Sequence, residues 1–220
     1  MKNKFFIIFF TLFCNALVKA ENLQINAKNI TLDKKNNKTI FENKVRVKTK
    51  DDIIIESEFV EYDREKGFLI IKKNIQVNDK NNNTIKTNYA EYDENTEIFK
   101  SKGSTILNTR EKYKIKSEDI LLNNKNKIIS SVKSSTITDQ EGNQIYLDNF
   151  EYSSETNIFK SIGLIKIKDK MMNEYEFSQI YIDTKKKEIL GTDIKAFLNN
   201  QNFKINKKND PRIFANSVKI

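Results

Sequence analysis

Paired carboxylates are the side chains in this sequence whose type and spacing point most directly to chemistry. Glu61 and Asp63 lie two residues apart, as do Glu91 and Asp93, so each pair shares one face of an extended strand. Two carboxylates placed in this way are typical of a Ca²⁺ site or of a general acid and base. The pairing is missing from the equivalent positions of four further repeats described below. The sequence therefore favours turn-forming roles for Asp63 and Asp93.

The composition excludes several other kinds of active site. The chain has 220 residues, no His and one Cys, with 39 Lys and Arg against 30 Asp and Glu. Without His there is no Ser-His-Asp triad and no imidazole ligand for a metal. One Cys supplies neither a zinc cluster nor an internal disulfide. We therefore expect a protein that is not an enzyme and that uses no cofactor or metal.

The N-terminus has the pattern of a secretory signal peptide. Two lysines in Met1–Lys4 precede an apolar stretch over Phe5–Val18, and Ala20 gives a small residue at the exit. Fourteen residues in a helix reach about 21 Å, which is short of a hydrocarbon core of about 30 Å. A cleaved leader over residues 1–20 is favoured over a membrane anchor. The remaining residues, 21–220, are predicted to form one exported domain.

A repeat of 30 residues organises the rest of the chain. Six segments align without a gap, beginning at Ile25, Ile55, Ile85, Ile115, Ile145 and Tyr175. Each continues with an apolar residue five positions on and with Leu, Tyr or Ile two positions after that. A polar residue follows directly at Asp33, Asp63, Asp93, Asn123, Ser153 and Asp183. Self-similarity at a fixed period predicts a stacked architecture built from one supersecondary unit.

Within each repeat the apolar residues alternate with polar ones, which predicts two β-strands and an all-β fold. The polar turns between the strands are expected at 34–37, 64–67, 94–97, 124–127, 154–157 and 184–187. Ile55 and Ser57 share one phase of the alternation, whereas Val60 and Tyr62 share the other. This change of phase predicts a β-bulge near Glu58-Phe59 and its equivalents. Small residues on the inner face, such as Ala27 and Thr87, would leave room for a ligand with long apolar chains.

The repeats resemble the OstA-like family of lipopolysaccharide-transport proteins, which comprises LptA, LptC and the N-terminal periplasmic part of LptD. The resemblance covers roughly residues 22–220, through segments such as IIIESEFVEYDREKGFLIIKKNIQVND, TIKTNYAEYDENTEIFKSKGSTILNT and QIYLDNFEYSSETNIFKSIGLIKIKD. The passage Asn209–Ser217 is similar to the one that ends this domain in LptD, so the resemblance is closest to that member. It implies a twisted β-jellyroll of V-shaped strands, open at both ends.

The resemblance also implies a function. Lipid A acyl chains would travel in an apolar groove in the periplasm, towards assembly of lipopolysaccharide at the outer membrane. Other OstA-like proteins would add to the edge strands, and an outer-membrane barrel or lipoprotein would be a further partner. Unlike LptD, the sequence stops at Ile220 before a cysteine-containing segment and a barrel, so we expect either a truncated product or a stand-alone member. The expected groove residues are Ile25, Val45, Val47, Ile55, Ile75, Val77, Ile85, Leu107, Ile115, Ile137, Ile165 and Ile167.

Two interpretations from other functional classes remain open. The repeats are also consistent with a structural or adhesive β-solenoid that packs a dry core and binds proteins at its surface. The Lys and Tyr residues on the strand faces would suit a secreted binder of nucleic acid or polysaccharide, although an exported protein is not expected to meet nucleic acid. Taken one at a time, the inner-face residues are also what a plain hydrophobic core requires.

Overall fold

The fold was analysed in a computed structural model that describes residues 23–199 and 211–219. The signal peptide expected over residues 1–20 lies outside the described residues, as does the start of the Asn209–Ser217 passage. In the described part of the chain all regular elements are β-strands, which confirms the all-β class. No helix in these ranges is long and apolar enough to cross a membrane.

Eighteen antiparallel strands form one continuous hydrogen-bonded system. They are β1 (Leu23–Asn26), β2 (Asn29–Asp33), β3 (Lys38–Thr49), β4 (Ile54–Asp63), β5 (Phe68–Asn78), β6 (Thr84–Asp93), β7 (Ile98–Ser101), β8 (Ser104–Asn108), β9 (Lys114–Glu118), β10 (Leu121–Asn123), β11 (Ile128–Ser131), β12 (Ser135–Thr138), β13 (Gln144–Leu147), β14 (Phe150–Ser153), β15 (Ile158–Lys168), β16 (Glu174–Asp183), β17 (Glu188–Phe197) and β18 (Arg212–Lys219).

Each sequence repeat forms one bent hairpin, and β18 closes the series against β17. In some repeats two short successive strands, such as β1 with β2 or β7 with β8, take the position that a single long strand has in other repeats. The predicted turns lie at the expected positions in all six repeats. The carboxylate of Asp33, for example, accepts hydrogen bonds from the amides of Lys35 and Asn36 at 3.1 Å. Asp63, Asp93 and Asp183 do the same, which confirms their turn-forming roles.

The strands bend at their middle, and the bend divides the fold into two walls. Wall 1 holds β1, β8, β9, β12 and β13, wall 2 holds β2, β7, β10, β11 and β14, and the long strands cross both. The bend between them is here called the apex. The predicted change of phase is confirmed, because Ser57 and Val60 are both buried and lie three residues apart.

The register does shift at the predicted place beside Glu58-Phe59, but the first strand does not carry the extra residue. The extra residue lies on the second strand of the repeat, since Glu42 and Val45 of β3 pair with Phe59 and Ser57 of β4. The strand β5 repeats this pattern, and its Lys73 and Asn74 have φ angles of 68° and 52°. The first strand, β4 in this repeat, has no extra residue, and its buried side chains are instead spaced three residues apart at the bend, from Ser57 to Val60. The sequence of a single strand shows only its own alternation of apolar and polar residues. The extra residue becomes visible only in the register between two paired strands.

Buried hydroxyl groups fill the apex in the middle of the chain. Strands break there between β7 and β8 and again between β9 and β10. Ser101 Oγ accepts a hydrogen bond from the amide of Ile120 at 2.9 Å and donates one to its carbonyl oxygen at 3.2 Å. Ser131 Oγ donates to the carbonyl oxygen of Glu118 at 2.7 Å. Side chains thus replace ladder hydrogen bonds at this part of the bend, which keeps the backbone polar groups satisfied.

Candidate functional site

The twelve expected groove residues all lie on the inner face of wall 1. Nine of them belong to one row of directly paired residues that runs from Ile25 to Tyr175 across the wall. The other three, Val45, Ile75 and Ile165, lie nearer the apex. Ile25 is partly buried, and the remaining eleven are buried in the core. The structure therefore brings the expected residues together in a single apolar surface.

Wall 2 supplies a second apolar row that sequence reasoning missed. Direct pairs connect Leu69, Tyr92, Phe99, Leu122, Ile129, Tyr152, Phe159 and Ile182. All eight side chains are buried. In the first strands these are the Leu, Tyr or Ile that precede the polar turn residue, so the repeat itself contained the signal. They lie opposite the wall 1 row and form the other half of any apolar interior.

The two walls pack against each other with little space between them. A void of about 10 Å³ lies between Ile115 and Ile137 of wall 1 and Tyr152, Phe159 and Ile182 of wall 2. Such a volume is comparable to what one water molecule needs, and it is far smaller than an acyl chain. In this conformation the expected groove is a packed core, so an acyl chain enters only if the walls separate.

The small inner residues at the apex do not leave room for a ligand. From the N-terminal to the C-terminal repeats, the inner side chains at the apex become larger in wall 1 and smaller in wall 2. In wall 1 the equivalent positions are Ala27, Ser57, Thr87, Ser117, Leu147 and Phe177, and in wall 2 they are Phe41, Ile71, Ser101, Ser131, Ser161 and Gly191. A Cβ atom at Gly191 would lie 2.3 Å from Cδ1 of Phe177, so the glycine is what admits that ring. Towards the two ends of the chain, large residues of one wall thus compensate for small residues of the other, and in the middle repeats small hydroxyl side chains of wall 1 and the apex bond to one another.

Opposite the apex, the turns of the two walls approach each other along a line called here the seam. Lys50 of wall 1 forms an ion pair with Glu97 of wall 2 at 2.5 Å. The hydrogen bond to Glu97 raises the pKa of Lys50. One repeat further on, two lysines face each other, and the close approach of Lys80 lowers the pKa of Lys127. The seam is thus held by an attractive contact near the N-terminal end and carries a repulsive pair beside it.

Towards the C-terminal half the seam widens into a cleft with a volume of about 710 Å³. Its floor is made by Tyr113 and Ile145 of wall 1 and by Ile182 and Ile189 of wall 2. Ile145 and Ile182 belong to the two apolar rows, so the cleft is continuous with the packed interior. The charged side chains of its rim are Arg110, Glu111, Asp139, Glu141, Lys185 and Lys187. A volume of this size lies in the range of small-molecule binding sites.

The paired carboxylates identified in the sequence do not form a metal site in the structure. Glu61 forms an ion pair with Lys38, and Glu91 forms one with Lys102. Asp63 is held by the amide of Lys66 at 3.1 Å. Across residues 23–199 and 211–219 there is no group of three or more His, Cys, Asp or Glu side chains that would hold a metal ion. These carboxylates are therefore explained by surface ion pairs and turns.

Both ends of the interior are exposed. Ile30 and Leu32 of β2 lie at inner positions but are 59% and 67% exposed, because no strand within residues 23–199 and 211–219 covers them. At the other end Ile213 of β18 pairs with Ala196 on the inner face and is 54% exposed. The edge strands thus present both unpaired backbone groups and apolar side chains, as surfaces for strand addition do.

We expect the stability of the walls at high pH to depend on Tyr152, whose hydroxyl reaches Glu111 across the seam at 3.3 Å. Burial, with the nearby Glu111 carboxylate, raises the pKa of Tyr152 to about 12 from a value of 10.0. The folded state therefore favours the neutral phenol, and this contribution is complete below pH 10 and is lost as the pH rises towards 12.

Substitution of Tyr152 by Phe removes that dependence. Between pH 10 and 12 the wild type should lose roughly 2 kcal/mol more unfolding free energy than Tyr152→Phe, which urea unfolding at a series of pH values measures. Tyr146→Phe, at an exposed tyrosine, is the control and should follow the wild type. Parallel curves for wild type and Tyr152→Phe would contradict the assignment.

Comparisons with known proteins find similarity to solved structures but none to known sequences. No protein-family model matches the chain, and no curated protein sequence matches it. Among solved structures, a match is found to LptH from Pseudomonas aeruginosa, described as the LptA-homologous periplasmic component of the lipopolysaccharide transport device. The match covers 87% of this chain and 93% of LptH, with 14% identity and a TM-score of 0.23. At this TM-score the match supports no residue-by-residue comparison.

Proposed function

We propose that this chain is a periplasmic carrier of lipopolysaccharide with an OstA-like architecture, which shelters lipid A acyl chains between its two walls. The observation that carries the proposal is the pair of facing apolar rows, which run the length of the molecule and continue into the cleft. Every step along such rows offers apolar side chains, so a chain moving along them meets no large barrier. Each methylene group kept from water is worth about 0.8 kcal/mol, which favours a sheltered path for a ligand with several acyl chains.

The proposed role extends to location and partners. An N-terminal leader over residues 1–20 would export the domain of residues 21–220 to the periplasm, near the outer membrane. Other OstA-like domains would add to the exposed edges at β2 and β18. An outer-membrane barrel or lipoprotein would receive the lipid, and the Pro211–Ser217 passage would place the chain nearest the N-terminal domain of LptD. The proposed role is transport, with no catalytic step.

A second candidate function is favoured by the closed interior. A void of about 10 Å³ between the walls is what a structural or adhesive solenoid with a dry core would have. The two candidates differ in whether the walls separate in the presence of lipid. The carrier requires separation, whereas the solenoid has a single packed state.

Photo-crosslinking to purified lipopolysaccharide distinguishes the two candidates. A diazirine-bearing aliphatic residue placed at Leu107 of wall 1 or at Phe99 of wall 2 should give lipid adducts if acyl chains occupy the interior. The matched controls are Ile106 and Lys100, the neighbouring residues on the outer faces of the same strands. We expect adducts from the inner positions and none from the outer ones. Absence of adducts from both inner positions would favour the dry solenoid.

A further inference from the structure

The acidic and basic side chains of the cleft differ in the partners that they have within the protein. Three acidic and three basic side chains lie on its rim, but the acidic groups are engaged within the protein. Glu141 pairs with Lys170 at 3.0 Å, and Glu111 accepts the hydrogen bond of Tyr152. Asp139 accepts hydrogen bonds from the amides of Glu141 and Asn143 and from the Asn143 side chain, at 2.7 to 2.9 Å.

The basic groups of the rim have no such partners. Among the residues that the structure describes, the side chains of Arg110, Lys185 and Lys187 form no ion pair. All three side chains are exposed, and all three residues line the cleft. Three unpaired cations therefore stand above a floor of Tyr113, Ile145, Ile182 and Ile189. Such a combination suits a ligand with an anionic head and an apolar chain.

The wall 1 side of the cleft adjoins the interrupted part of the apex, whereas its wall 2 side lies on the unbroken strands β16 and β17. Wall 1 contributes the turns around Arg110 and Asp139, which lie in the stretch where strands break at the apex, from β7 to β14. Hydrogen bonds from Ser101, Ser131 and Ser161 replace ladder hydrogen bonds there. By contrast, β3 to β6 run unbroken through the bend beside the Lys50–Glu97 ion pair. We therefore expect the walls to separate more readily beside these interrupted strands than at the N-terminal end.

We infer that the cleft is a lateral port, where one acyl chain of an anionic amphiphile enters the interior between the walls. This inference rests on the proposed carrier function and adds a point of entry to it. The acidic head is held at Arg110, Lys185 and Lys187 while the chain passes between Ile145 and Ile182. The N-terminal half of the seam stays closed around the Lys50–Glu97 pair during entry.

Cross-links across the seam test the port, because Cys14 can be removed and cysteines then added in pairs. In a Cys14→Ser background, one variant carries Gln140→Cys with Lys187→Cys across the cleft, and the other carries Lys50→Cys with Glu97→Cys. Each is treated with a short bismaleimide, and the same variant without the linker is its control. The probe is cis-parinaric acid, a fluorescent fatty acid, and its binding rate is followed in a stopped-flow instrument.

The linker across the cleft should slow loading about tenfold or more, which corresponds to closure of the main route, while the N-terminal linker should change it less than twofold. Removal of charge by Lys185→Gln with Lys187→Gln should weaken binding of the acid roughly fivefold and leave its methyl ester unchanged. Equal loading with and without the cleft linker would overturn the port but leave the carrier function standing. Failure of the untreated protein to bind the probe at all would overturn the carrier function itself.

Discussion

Replacing Phe99 by Ala should lower the free energy of unfolding by about 3–5 kcal/mol, the usual cost of deleting a fully buried aromatic ring. Phe99 is 1% exposed, lies between Tyr92 and Leu122 in the wall 2 row, and is the largest of the fully buried side chains. The substitution leaves a cavity in the middle of the fold, where the Phe99 ring packs between hairpins on both sides. Urea unfolding followed by circular dichroism gives the difference directly.

The matched control for this substitution is Val132→Ala, at a side chain that is 84% exposed on the outside of the apex. That change should alter the unfolding free energy by less than about 0.5 kcal/mol. If Phe99→Ala were equally mild, the wall 2 row would not be packed as described. The interior would then already contain space between the walls.

Placing carboxylates on the exposed N-terminal edge should weaken the proposed addition of a second copy at β2 roughly a hundredfold. The change is Ile30→Asp with Leu32→Asp, at two inner-face residues of β2 that are mostly exposed. Burial of each such side chain against a second copy is worth about 1.5–3 kcal/mol, so losing two of them has a large effect on the dissociation constant. Sedimentation velocity over a range of concentrations measures it.

Thr31→Asp is the control for the edge, since Thr31 lies between the two residues and points to the outer face of β2. It adds a charge to the same strand without reaching the apolar surface, so association should remain near the wild-type level. The double variant should also keep the wild-type melting temperature, because both side chains are exposed in the single chain. Association that is unaffected by the double change would exclude β2 as the docking edge.

The regular parts of the fold were predictable from sequence because they are governed by short-range patterns. The alternation within each repeat and the polar residue before each turn located all six turns, since Asp, Asn and Ser hydrogen-bond the local backbone. The wall 1 row was found because its Ile and Val residues stand between charged neighbours. The wall 2 row was left out because the expected groove was drawn only from Ile, Val and Leu residues of wall 1, although the positions of Tyr92 and Tyr152 also face the interior.

The apex and the seam depend on contacts that the sequence does not display. The bulge was placed on the first strand because only the pairing of β3 with β4 reveals the extra residue on β3. Lys50 and Glu97 are 47 positions apart, and their contact follows from the angle at which the strands bend. The packing of small against large residues likewise requires both walls, as Gly191 and Phe177 show. Long-range geometry of this kind decides whether an interior is open or closed.

The carrier function requires that the two walls move apart when lipid enters, and a distance between them tests this most directly. Spin labels on cysteines at Lys112 of wall 1 and Glu155 of wall 2, in a Cys14→Ser background, report the width of the seam by pulsed electron paramagnetic resonance. A second pair at Lys125 and Glu155 lies within wall 2 and serves as the control. Addition of lipopolysaccharide should lengthen the first distance and leave the second unchanged. A first distance that stays constant while lipopolysaccharide is bound would contradict the account.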